Sequence, residues 1–121
     1  MLLWCARAAT LVAVGVACYL TLSSDPAGAG TFPDWTGHLG IFAGVGASFA
    51  LLRRASGWPA SHLRLLALAV VFLSVATEAG QSFTGRNSDV IDLVFDLTGG
   101  LGALFAADAL LARRRVCPRN G

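Results

Sequence analysis

Four apolar stretches of membrane-spanning length, parted by short breaks rich in Pro, Gly, Ser and Asp, leave this chain few ways to fold. The first covers about residues 2–22 and is interrupted only by Arg7. The second covers about 38–54 and ends in Arg53-Arg54; the third covers about 61–81. The fourth covers about 88–112 and is closed by Arg113-Arg114-Arg115. A helical span needs about 20 mostly apolar residues. The 121 residues therefore accommodate four spans in a single domain, 1–121, with no room for a separate soluble one. Charge content agrees: 13% of residues are charged, against about 25% in soluble domains. The expected fold is an all-α membrane protein, a four-transmembrane-helix bundle.

Arginine placement sets its orientation. Cytoplasmic loops are enriched in Lys and Arg. If the spans alternate, Arg7, Arg53, Arg54, Arg64, Arg113, Arg114, Arg115 and Arg119 fall on one side and Arg86 on the other. Both termini are expected in the cytoplasm, with the breaks around Asp25–Asp34 and Ser82–Asn87 facing outward. Arg7, the apolar run and Ala27-Gly28-Ala29 also resemble a signal peptide; Gly15-Val16-Ala17-Cys18 is a poor lipobox. A retained first helix is the expectation, and cleavage would leave the other three oriented as before. The net charge of +2 says little about nucleic acid, because the basic residues sit at loops rather than along a face, and no nucleic-acid partner is expected. Cys5, Cys18 and Cys117 lack C-x-x-C spacing and read as small apolar fillers and a tail thiol.

Polar residues inside such apolar sequence are the next constraint. Ionisable groups near a bilayer core cost several kcal/mol each and mark function. His38 opens the second span, Glu78 and Gln81 close the third, and Asp89, Asp92 and Asp96 open the fourth. Alternation brings all these ends to the outer surface. Glu78 and Gln81 are i, i+3 and Asp92 and Asp96 i, i+4, so each pair shares a helix face. Asp34 lies four residues before His38 and shares its face if the helix starts early. Arg86 lies in the loop between the carboxylates. Ser88 or Asn87 is expected to cap the fourth helix, with Asp89 and Asp92 in its first turn. A bland reading holds beside this one: a structural polar network. Asp108 reads as a cytoplasmic-interface residue near Arg113 and Arg114, His62 as a helix-start residue, and Trp4, Trp35 and Trp58 as interfacial anchors. Gly40 with Gly44, Gly99 with Ala103, and Gly102 with Ala106 are small-residue packing signals.

These residues, taken in order, resemble the VanZ-like family of small bacterial membrane proteins. That family shows Asp-x-x-x-His-x-x-x-Phe at an outer helix start, here Asp34, His38 and Phe42. Glu-x-x-Gln follows, here Glu78 and Gln81, then a loop arginine after glycine, here Gly85-Arg86. Asp-x-x-x-Asn-x-x-Gly reads Asp92, Asp96 and Gly99, so an aspartate replaces the family's asparagine. The lysine that often follows the first Asp is Trp35. The resemblance covers about Asp34 to Phe105. It implies a multi-pass protein of the bacterial cytoplasmic membrane, associated with teicoplanin resistance, with a binding site of Asp34, His38, Glu78, Gln81, Arg86, Asp92 and Asp96.

Three functions compete. In the first, the outward cluster binds a glycopeptide, a lipid headgroup or a cell-wall precursor, with Arg86 pairing carboxylate or phosphate. In the second, His38 with Glu78, Asp92 or Asp96 performs acid–base chemistry on a lipid-linked substrate, or ligates a divalent metal. No nucleophile motif and no H-E-x-x-H supports an enzyme, and no organic cofactor is expected. In the third, the acids carry protons in a small transporter, which at four helices would need a homodimer. Membrane lipids are the partners common to all three.

Overall fold

The computed structural model describes residues 1–23, 34–85 and 87–116; the side chains of Asp34, Arg115 and Val116 are outside that description. It contains four α-helices: α1 (Leu2–Leu22), α2 (Asp34–Ala55), α3 (His62–Gln81) and α4 (Val90–Val116). There is no strand among the described residues. Each helix is long and apolar enough to cross a membrane, and 20 residues at 1.5 Å per residue span about 30 Å. Helices are the natural outcome for such runs, because lipid offers the backbone no hydrogen-bonding partner.

Two boundaries differ from the sequence reading. Helix α2 starts at Asp34, four residues earlier than expected, so Asp34 and His38 do lie on one helix. Helix α4 begins at Val90 and runs to Val116. Its start is capped neither by Ser88 nor by Asn87. The Asp89 carboxylate accepts the Ile91 N–H at 3.0 Å, and the Asp89 carbonyl accepts the N–H groups of Asp92 and Leu93. Short polar side chains do this well just outside a helix, so Asp89 precedes the first turn rather than lying in it.

The α2–α3 turn follows from one glycine. Trp58 N–H bonds Arg53 C=O and Gly57 N–H bonds Arg54 C=O, the nested pair of a Schellman motif. That motif needs a left-handed residue, and Gly57 has φ +68°. Pro59 then prevents α2 from continuing.

Packing centres on α2 and α4, the most intimate pair; α1 lies against α2 and α3, and α3 against α4 and α2. The close approach is made by Gly46, Gly99 and Gly100. A Cβ on Gly46 would strike the Gly100 carbonyl, and one on Gly99 would strike the Leu39 carbonyl. The expected Gly40/Gly44 pair does not contribute, since both face open space, as does Gly102. Thr10 Oγ1 donates to Ala6 O at 2.9 Å and approaches Ser48 O at 3.3 Å. This contact sets the start of α1 beside the end of α2. Leu22 meets Gly80 at the opposite end.

The burial pattern is that of a protein solvated by lipid. Leu11, Val12, Tyr19, Leu65, Leu68, Phe72, Val94, Phe105 and Leu110 are exposed, whereas His38, Arg53, Glu78, Gln81, Asp96 and Asp108 are buried. A soluble domain could not present so much apolar surface to water. Cys5 is exposed and Cys18 partly so; Cys5 is thus no packing filler, and Cys117 lies outside the described residues.

Candidate functional site

The polar side chains segregate to two poles. Antiparallel packing places the start of α2, the end of α3 and the start of α4 together, and with them His38, Glu78, Gln81, Asp92 and Asp96. The other pole collects the start of α1, the end of α2, the start of α3 and the end of α4. Arg7, Arg53, Arg54, Arg64, Arg113 and Arg114 belong to it.

His38 organises the first pole. Its imidazole Nδ1 lies 2.8 Å from Asp96 Oδ1, and Nε2 lies 3.8 Å from Asp92 Oδ2. The two acids reach the ring from successive turns of α4, as their i, i+4 spacing requires. With Asp96 ionised, Nδ1 carries the proton and donates it, because a carboxylate only accepts. The 3.8 Å approach is too long for a direct hydrogen bond. Asp96 is six residues into α4, about 9 Å below the helix start, and is fully buried. Trp35 stacks on Phe95 with ring centroids 5.0 Å apart, so an aromatic pair also joins α2 and α4 at this pole.

Glu78 brings in α3. Its Oε1 accepts the backbone N–H of Asp89 at 2.6 Å, tying the end of α3 to the cap of α4. Its other oxygen, Oε2, is buried with no hydrogen-bond partner among the described residues; the same holds for Asp96 Oδ2 and Gln81 Nε2. Buried polar atoms are nearly always paired, so three unsatisfied ones at one pole mark a place prepared for something else. One donor atom from each of His38, Glu78 and Asp96 lies within 4.8 Å of the others. That is a nitrogen and two oxygens from three helices, the kind of set that binds a divalent ion.

The predicted residues therefore divide. His38, Glu78, Asp92 and Asp96 converge. Gln81 is buried one turn along α3 from Glu78 and belongs to the same pole. Asp34 opens α2, but its side chain lies outside the described residues, as do Arg86 and the whole of Ala27-Gly28-Ala29.

At the second pole Asp108 has partners that its sequence neighbourhood does not show. Asp108 does not answer Arg113 and Arg114; it is buried and pairs with Arg53 and Arg54 of α2. Arg53 Nε donates to Asp108 Oδ1 at 2.9 Å, and its Nη2 pairs with the same oxygen. Arg53 Nη1 donates to the Trp58 carbonyl at 2.7 Å. Arg54 donates through Nε to Asp108 Oδ1 and through Nη2 to Oδ2, both at 2.8 Å. The signal was available: Asp108 is an acid inside an apolar run, the same anomaly that singled out Asp96. His62 opens α3 as expected and stacks on Trp58.

Between the poles the largest buried side chains are apolar. Phe42, Val45, Val70 and Leu104 are fully buried there, and the glycine contact of α2 with α4 removes free space. The buried hydroxyls of Thr21, Ser74 and Thr77 donate back to carbonyls of their own helices, so they form no polar chain from one pole to the other.

No family model, no curated protein and no solved structure matches the chain.

Proposed function

We propose that the chain is a multi-pass protein of the bacterial cytoplasmic membrane, of the VanZ-like kind. Both termini face the cytoplasm, and the His38 pole, lying just beneath the outer surface, binds an envelope molecule bearing hydroxyl, amine or amide groups. A lipid headgroup, a cell-wall precursor and a glycopeptide all carry such groups. The observation behind this reading is the trio of unsatisfied buried atoms: Glu78 Oε2 and Asp96 Oδ2 accept, and Gln81 Nε2 donates. The cytoplasmic assignment rests on the arginine-rich pole. Impermeant maleimide, applied to intact cells carrying a cysteine-free variant, should label Ser82→Cys and spare Ala60→Cys.

The decisive comparison is between cells producing wild type and cells producing Glu78→Gln or Asp92→Asn at equal protein level. Both variants should lose the change in glycopeptide tolerance and in lipid and precursor profile that the wild type confers. Unaltered tolerance and profile in both variants would overturn the reading.

A second reading, acid–base catalysis on a lipid-linked substrate, draws on the His38–Asp96 pair, a carboxylate-oriented imidazole. Proton-linked transport is the weakest of the three readings, because Phe42, Val45, Val70 and Leu104 are fully buried between the poles and the buried hydroxyls of Ser48, Ser74 and Thr77 donate to carbonyls of their own helices.

A further inference from the structure

We propose that His38, Glu78 and Asp96 form a site for a divalent transition-metal ion of the zinc or manganese type, clamping α3 to the α2–α4 pair. The inference goes beyond headgroup binding and does not depend on it, because the ion can be held whether or not an envelope molecule is present.

The donor atoms and their burial carry it. One imidazole nitrogen and two carboxylate oxygens, on three different helices, come within 4.8 Å of one another. His38, Glu78 and Asp96 are 3%, 6% and 0% exposed. Burying carboxylates without a cation is costly, yet Glu78 Oε2 and Asp96 Oδ2 have no hydrogen-bond partner among the described residues. An ion ligated by Glu78 Oε2 and by the Asp96 carboxylate supplies the positive charge that both buried acids lack. The nitrogen ligand favours zinc or iron over magnesium and calcium, which prefer all-oxygen sets, and the two carboxylates also suit manganese.

The surroundings are those a metal site needs. His38 Nδ1 and Asp96 Oδ1 are 2.8 Å apart, about 0.6 Å closer than the roughly 3.4 Å between neighbouring ligands on a tetrahedral ion with bonds of about 2.1 Å, so the two must part slightly to admit it. An ion replacing the proton between them leaves Nε2–H directed at Asp92 Oδ2, now 3.8 Å away. A carboxylate on the far nitrogen is the usual means of fixing a metal-bound imidazole. Glu78 is similarly held: its Oε1 accepts Asp89 N–H, which leaves Oε2 as the single ligand oxygen. Closing a 4.8 Å set to ligand spacing requires the carboxylates to move by roughly 1 Å. Three protein ligands leave a position open, where a ligand hydroxyl or phosphate oxygen would bind.

The test uses the full chain in nanodiscs, stripped with chelator and then dialysed against Zn²⁺, Mn²⁺ or Mg²⁺, with bound metal measured by elemental analysis. A Cys5→Ser, Cys18→Ser, Cys117→Ser background removes thiols as adventitious ligands. Wild type and this background should each retain about one Zn²⁺ or Mn²⁺ per chain and unfold at a higher temperature with the ion than without it. Within that background, His38→Ala, Glu78→Gln and Asp96→Asn should each bind about tenfold or more weakly, Asp92→Asn about tenfold, and His62→Ala as the parent does. Retention of neither ion by wild type would overturn the proposal, even if the variants fail to fold. So would loss of binding in the cysteine-free background, or undiminished binding by Glu78→Gln and Asp96→Asn. If chelation leaves glycopeptide tolerance and precursor profile unchanged while no ion is retained, the metal site fails and envelope binding stands.

Discussion

His38 and Asp96, 58 positions apart in the chain, meet at 2.8 Å between Nδ1 and Oδ1. Neither is exposed, and the bond crosses from α2 to α4 about two turns of α2 and one turn of α4 from the Gly46–Gly100 contact. Side-chain register and backbone approach therefore specify the same pairing of these helices.

Removal of this bond should be measurable as stability. His38→Ala and Asp96→Ala should each cost about 1–3 kcal/mol, since each strands a buried polar group. The double variant should cost less than the sum, with a coupling of about 0.5–3 kcal/mol, as for residues in direct contact. Denaturant unfolding in micelles gives all four corners of the cycle. Additive single effects would show that the two side chains do not interact in the folded protein.

The glycines offer a sharper contrast, because the two sets differ in what a methyl group would meet. Gly46→Ala and Gly99→Ala push a Cβ into a carbonyl of the facing helix. The helices must then part, and overpacking of this kind costs about 1–3 kcal/mol. Gly40→Ala and Gly44→Ala face open space and should be neutral or stabilising by up to about 1 kcal/mol through helix propensity. Thermal unfolding of the four variants side by side decides it. Equal effects in both pairs would contradict the α2–α4 packing.

At the opposite pole Asp108 has more to lose than either arginine. Asp108→Asn removes the charge that compensates both Arg53 and Arg54, and leaving buried charge uncompensated costs about 3–5 kcal/mol. Arg53→Gln should cost more than Arg54→Gln, because Arg53 is the more deeply buried and also holds the Trp58 carbonyl. Asp108→Asn should also reduce yield in the membrane fraction. If it unfolds like wild type, the Arg53–Asp108–Arg54 clasp is not a stabilising element.

How much of this was legible in sequence follows from which signals are local. Helix number and approximate bounds came from apolar run length, a property each segment carries alone. Convergence of His38, Glu78, Asp92 and Asp96 came from topology, because alternating spans force those ends together. Helix rotation is set by partners. Spacing picks out Gly40 with Gly44 as readily as Gly99 with Ala103 and passes over Gly46, and only the facing carbonyls of Gly100 and Leu39 show that Gly46 and Gly99 make the contact. Sequence places Asp108 only near Arg113 and Arg114, whereas its partners lie 54 and 55 positions away. The cap of α4 slipped by a residue or two because Asn87, Ser88 and Asp89 are all good caps; the Glu78 contact to Asp89 N–H favours the third.

That contact separates two roles of Glu78, one structural and one chemical. Glu78→Ala deletes the acceptor for Asp89 N–H, so the start of α4 should lose about 1 kcal/mol and the Asp89 amide should exchange faster. Glu78→Gln keeps a carbonyl oxygen of the same reach and removes only the charge. It should therefore preserve Asp89 amide protection and overall stability within about 0.5 kcal/mol. The predicted pattern is asymmetric: both variants lose ligand response, and only the alanine loses protection. Hydrogen exchange at Asp89 alongside the tolerance assay reads both. If Glu78→Gln frays α4 as Glu78→Ala does, Glu78 acts through the fold, and its loss of response says nothing about a site.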